Sequence, residues 1–313
     1  MSVAFIFPGQ GSQSVGMGKA LAETFPEARA VFAEVDDALD ESLSAIVWGG
    51  PAETLTLTRN AQPALMAVSL AALRALEAAG ARTAGRLAYV AGHSLGEYSA
   101  LAAAGSFTVG EAARLLRIRG DAMQAAVPVG EGAMAAIIGL EFYAVKAVAE
   151  AAANGDVCAV ANDNGAGQVV VSGNRAAVER AVAIAQEKGA RRALLLPVSA
   201  PFHCALMKPA ADVMAQALER TPPRRPSVPL VANISATPLT DPDAIRRSLV
   251  DQLTGMVRWR ESVAWLAANG VDCFIELGAG KVLSGLVRRI APDAAALAVG
   301  GPDDIQTALD RLG

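Results

Sequence analysis

A chain of 313 residues, 53% apolar and 19% charged, is long enough to bury a sizeable core as one large domain or a large and a small one. With 27 Lys and Arg against 31 Asp and Glu and a net charge of −4, nothing in the bulk charge points to nucleic acid or an anionic membrane as a partner. Three cysteines without C-x-x-C spacing exclude a disulfide framework or a zinc site, and the absence of a basic leader or a long uncharged apolar run points to a cytoplasmic protein.

Apolar β-type runs alternate with stretches of helical period, which predicts an α/β fold with a mainly parallel sheet. Residues 3–7 read as the first strand, followed by the turn-rich loop Pro8-Gly9-Gln10-Gly11-Ser12, and residues 61–79 as a long helix ending before Gly80. A second strand, 87–91, runs directly into Gly92-His93-Ser94-Leu95-Gly96 and then into an alanine-rich helix, 97–104. Thr108 and Glu111 form a T-x-x-E capping box, so a helix starts near Val109 and runs through Met123. From about 128 to 197 six short elements follow in the order strand, helix, strand, strand, helix, strand, the order of a ferredoxin-like unit. This predicts a small subdomain, 128–198, inserted into a large domain made of 1–127 and 199–313. Residues 230–232 and 273–276 are expected to return to the main sheet, and the proline cluster at 221–226 is a loop.

G-x-S-x-G is modest evidence alone, but here it lies where a strand gives way to a helix, the sharp elbow that holds a serine hydroxyl above a sheet. Serine needs a base to take its proton, and imidazole is the usual one near neutral pH. His93 adjoins Ser94, so its ring should point away from the hydroxyl; His203, in Ala200-Pro201-Phe202-His203-Cys204, is the base by elimination. Cys204 reads as a buried, inert thiol. Neither glycine-rich loop fits a nucleotide: Ser14 stands where the dinucleotide fingerprint needs its third glycine, and Val282 follows Lys281 where a phosphate loop needs Ser or Thr. Gln10 can still offer its backbone N–H to an oxyanion.

Arg119 lies on the apolar stripe of its helix, with Ala112, Leu115, Leu116 and Met123, while Arg114 and Arg117 fall on the opposite face. A guanidinium aimed into a core needs an anion. That anion is either an internal Asp or Glu or the carboxylate of a substrate.

Phe7-Pro8-Gly9-Gln10-Gly11-Ser12-Gln13, Gly92-His93-Ser94-Leu95-Gly96-Glu97, Arg119-Gly120, Pro201-Phe202-His203-Cys204 and Glu276-Leu277-Gly278-Ala279-Gly280-Lys281 fall in order along nearly the whole chain. Together they resemble the malonyl-CoA:acyl carrier protein transacylases of fatty acid synthesis. The resemblance implies an α/β-hydrolase-like large domain with a ferredoxin-like insert, and malonyl-CoA and acyl carrier protein as partners, with no metal or redox cofactor in the reaction. It implies Ser94 as the acylated nucleophile, His203 as its base and Arg119 as the residue holding the malonyl carboxylate. Gln10 and Leu95 would supply the oxyanion-hole N–H groups, and the main-chain carbonyl of Gln252 would orient the histidine. Phe202, where some members have Ser, favours malonyl by leaving no room for an α-methyl group; Ala279 replaces a frequent Pro. The competing reading is a serine hydrolase in which Asp156 or Asp163 completes the chain order Ser, Asp, His.

Overall fold

A computed structural model describes residues 2–83 and 85–312. Among them are ten strands: β1 (Val3–Phe7), β2 (Leu87–Gly92), β3 (Gly132–Ile138), β4 (Cys158–Asp163), β5 (Gln168–Asn174), β6 (Arg192–Leu195), β7 (Leu230–Val231), β8 (Pro238–Leu239), β9 (Cys273–Leu277) and β10 (Ala295–Val299). They form two sheets. The larger has the order β10-β9-β1-β2-β7-β8 and is parallel except for the β7–β8 pair, while the smaller has the order β4-β5-β3-β6 and is antiparallel throughout.

β1 is apolar at every position because both of its faces are covered. Val3, Phe5 and Phe7 enter the core built on the long helix Thr58–Ala78, whereas Ala4 and Ile6 point the other way, to Trp259, Val263 and Leu286. The smaller sheet buries one face under the helices Phe142–Ala153 and Arg175–Glu187, where Ala135, Ile137 and Val171 meet Val148, Val178 and Ala181. No helix among the described residues is long and apolar enough to cross a membrane.

The expected mixed α/β architecture with a mainly parallel sheet is present, with differences in detail. The long helix begins at Thr58 rather than 61 and carries Pro63 inside its second turn. β8 and β10 have no counterpart in the sequence reading, since Ala295–Val299 is alanine-rich and becomes a strand only by pairing along β9. The capping box is in place: Thr108 Oγ1 accepts the Glu111 N–H at 3.1 Å and Glu111 Oε2 accepts the Thr108 N–H at 2.7 Å, opening the helix Val109–Ala125. Arg117 departs from expectation. It is buried, donating to Asn60 at 2.5 Å and to Glu41 at 2.8 Å, because this helix is packed against Thr58–Ala78 and Pro26–Leu39 and has little free face.

Candidate active site

Adjacent parallel strands bring their carboxyl ends together, and the loops that leave β1 and β2 therefore meet. The Gly92–Gly96 turn folds tightly enough that a Cβ on Gly92 would lie 1.9 Å from the Gly96 carbonyl, and one on Gly96 would lie 2.3 Å from the Phe7 oxygen. Only glycine fits either place. Between them Ser94 takes φ 54°, the left-handed conformation of a strained elbow. Asn233 braces it, with Oδ1 accepting the Ser94 N–H at 2.7 Å and Nδ2 donating to the Gly92 carbonyl at 2.7 Å.

Ser94 Oγ lies 2.8 Å from His203 Nε2, and His203 Nδ1 lies 2.8 Å from the main-chain oxygen of Gln252. A carbonyl only accepts, so Nδ1 carries the proton and Nε2 keeps the lone pair facing the serine. Burial, and then the nearby Arg119 charge, lower the His203 pKa to about 3. At neutral pH the ring is uncharged and able to accept a proton. Neither rival acid reaches it: Asp156 is paired with Arg180 and Asp163 with Arg260, each at 2.8 Å.

Arg119 is 1% exposed. Nη1 donates to Gln62 Oε1 at 2.7 Å, while Nη2 donates to Gln252 Oε1 at 2.8 Å and to Ser94 Oγ at 3.1 Å. Every one of these acceptors is neutral. Among the described residues no carboxylate lies within ion-pair distance of it, and the acid that acts on its charge, Glu97, does so from the far side of Gln252. The guanidinium borders a cavity of about 410 Å³, an ordinary size for a small-molecule site, which Gln10, Leu95, Met123, Met134 and Phe202 also line. Within the described residues neither the Gln10 nor the Leu95 N–H is donated to another protein group, and Leu95 caps the amino terminus of the helix Gly96–Ala103. Two unspent N–H donors beside a serine hydroxyl can take up negative charge developing on an acyl oxygen.

The remaining predicted side chains fall as read. His93 turns away, its Nε2 2.9 Å from Asn164 Oδ1, and Cys204 is buried with Sγ 3.2 Å from the Pro201 carbonyl, its thiol pKa raised by burial. Among the described residues no cluster of His, Cys, Asp and Glu is placed to hold a metal. Four polar contributions escaped the sequence reading: Gln62, Asn233, Glu97 and the side chain of Gln252. Glu97 is fully buried, and burial raises its pKa against the pull of the Asn233 N–H, the Gln252 amide and Arg119. A carboxylate immediately after the serine motif and a glutamine inside an apolar helix were the available signals.

A serine on a glycine-walled elbow, a neutral histidine 2.8 Å away and an arginine beside both is the equipment of an acyl-transferring enzyme. The family model of the acyl transferase domain matches residues 4–297. The chain is 45% identical over 99% of its length to the malonyl CoA-acyl carrier protein transacylase of Bacillus subtilis (97% of that protein), and 48% identical over 98% of both chains to that of Escherichia coli. Among solved structures it is similar to an acyl-carrier-protein-S-malonyltransferase from Bartonella henselae, with TM-score 0.97, 58% identity and 100% of both chains covered. Another is a malonyl-transacylase in complex with a type II polyketide acyl-carrier protein, with TM-score 0.96, 44% identity and 99% and 100% of the two chains covered. The chain belongs to the acyl transferase family, among its malonyl CoA-acyl carrier protein transacylases.

Proposed function

We propose that the protein transfers a malonyl group from malonyl-CoA to the phosphopantetheine thiol of acyl carrier protein, through a malonyl ester on Ser94, and so supplies fatty acid synthesis. The observation that carries this reading is the buried Arg119, a cation with only neutral partners, 3.1 Å from the serine oxygen: the acyl group that completes the site brings its own carboxylate.

In the first half-reaction His203 Nε2 takes the Ser94 hydroxyl proton as Oγ attacks the thioester carbon, and the Gln10 and Leu95 N–H groups stabilise the oxyanion. The tetrahedral intermediate collapses with loss of the coenzyme A thiolate, which receives the proton from His203. In the second, the carrier thiol gives its proton to the same nitrogen and attacks the ester carbon, and Ser94 Oγ leaves and is reprotonated. Gln252 holds the imidazole through its carbonyl in both. Phe202, on the cavity wall, narrows the space beside the acyl α-carbon and favours malonyl over its α-methyl homologue.

The strand order β4-β5-β3-β6, second-third-first-fourth within its own unit, with two helices on one face, supports reading 128–198 as a ferredoxin-like insert in an α/β-hydrolase-like domain of 1–127 and 199–313. The free state of Cys158, Cys204 and Cys273 supports a cytoplasmic setting. Arg191 and Arg192 support a carrier-docking role better than Arg288 and Arg289. All four are exposed, but the former stand at the start of β6, which leads into the cavity-lining Leu196–Val198, whereas the latter donate to the Ala296 and Gly285 carbonyls.

Brief exposure to malonyl-CoA is expected to add one malonyl mass to Ser94, read by intact-mass spectrometry and peptide mapping, and carrier protein should discharge it far faster than water. Arg192→Glu should slow the discharge and spare the loading. Preferential release of free malonate would instead identify a hydrolase.

The pH profile follows from His203. Its base form persists down to about pH 3, so the rate of single-turnover loading at saturating malonyl-CoA should stay flat between pH 8 and pH 5. An imidazole with its ordinary pKa would lose about thirtyfold over that range. A fall centred near pH 6.5 in single-turnover loading would show that the histidine is not held neutral by its surroundings.

A further inference from the structure

Among the buried ionisable side chains that the transfer chemistry leaves unused, Glu97 is the one hydrogen-bonded to Gln252. Glu97 lies in the first turn of the helix Gly96–Ala103, 0% exposed, and both of its carboxylate oxygens face N–H donors. Oε1 accepts the Asn233 backbone N–H at 2.6 Å, and Oε2 accepts the Gln252 side-chain amide. The same Gln252 nitrogen donates to the Ser94 carbonyl at 3.0 Å, while its Oε1 accepts from Arg119.

A glutamine amide has a donor end and an acceptor end of nearly equal shape, and its neighbours decide which way it turns. Arg119 has only donors to offer and requires the oxygen. On the far side both Glu97 oxygens meet N–H donors, Oε1 the Asn233 main chain and Oε2 the Gln252 amide, so Oε2 stands as an acceptor and requires the nitrogen. Resting on the malonyl-transfer reading above, we infer that Glu97 is a positioning residue for acyl-carboxylate recognition: it locks the Gln252 amide with its oxygen toward Arg119 and thereby sets the guanidinium that receives the malonyl tail.

The isosteric Glu97→Gln variant separates this role from a structural one. The Asn233 N–H belongs to the main chain and cannot turn, so the new side chain must present its oxygen there and its NH2 to Gln252. The Gln252 amide then meets either a donor at residue 97 or, once flipped, the donors of Arg119. KM for malonyl-CoA is expected to rise about tenfold with kcat changed less than about threefold, lowering the malonyl-to-acetyl ratio of kcat/KM about tenfold. The exchange variant, Glu97→Gln with Gln252→Glu, keeps a donor–acceptor pair between the two side chains but seats a carboxylate on Arg119 and takes the donor from the Ser94 carbonyl. It should fold, read by circular dichroism and melting, and lose malonyl preference by a further factor of about ten or more. An unchanged ratio in Glu97→Gln, an equal fall for malonyl and acetyl, or a malonyl-preferring exchange variant would each overturn the inference. Wild-type protein run alongside tests the transfer reading by itself, since failure to load malonyl there overturns that reading whatever the variants do.

Discussion

Ser94→Ala is expected to lower malonyl transfer by about four to six orders of magnitude and to abolish the malonyl-enzyme adduct. The hydroxyl lies 2.8 Å from His203 Nε2 on the cavity that Gln10 and Leu95 also line, and among the described residues no other hydroxyl or thiol is hydrogen-bonded to that nitrogen. His203→Ala should cost nearly as much, and the double variant little more than either single one, because serine and base act as a unit. Binding of malonyl-CoA should survive in Ser94→Ala, since Arg119 keeps its Gln62 and Gln252 bonds; titration calorimetry measures this directly. Residual transfer near the wild-type rate in Ser94→Ala would dismiss the covalent route. Replacing the Gln252 side chain would leave the histidine bond in place, since that bond is made by a main-chain oxygen.

Arg119→Ala should separate malonyl from acetyl more sharply than any other single change. Truncating one member of a buried charge-assisted pair costs about 2–5 kcal/mol, or roughly thirty- to several-thousandfold in kcat/KM. That loss applies only to an acyl group with a carboxylate, and acetyl loading should change little. Arg119→Lys should recover only part of the malonyl activity, because a single ammonium cannot reproduce the planar fork that reaches Gln62 and Gln252 at once. Competition assays with malonyl-CoA and acetyl-CoA give the ratio in one vessel. Equal losses for the two donors would remove Arg119 from substrate recognition.

Much of this enzyme was legible along the chain because its signals are local. A fully apolar pentapeptide declares β1, T-x-x-E declares the start of Val109–Ala125, and strand-glycine-serine-glycine-helix declares the elbow. The periodicity of that helix also placed Arg119 on the inward face, while the partner it sought stayed open. The same reasoning failed for Arg117, because a helical wheel distinguishes two faces and this helix is packed on more than two.

Sequence by itself brought forward the residues proposed to carry chemistry, since a motif serine, a histidine and an inward-facing arginine are marked by side-chain type and by patterns only a few residues long. Only the tertiary structure decided how they are joined. Asn233 and Gln252 come from segments far along the chain, and their contacts with the Ser94 turn and with Glu97 exist because parallel pairing of β1, β2 and β7 gathers those loops at one end of the sheet. Which end of an amide faces a guanidinium, and whether a buried cation has an anion of its own, depend on distances between residues more than a hundred positions apart. No period or local spacing encodes such distances.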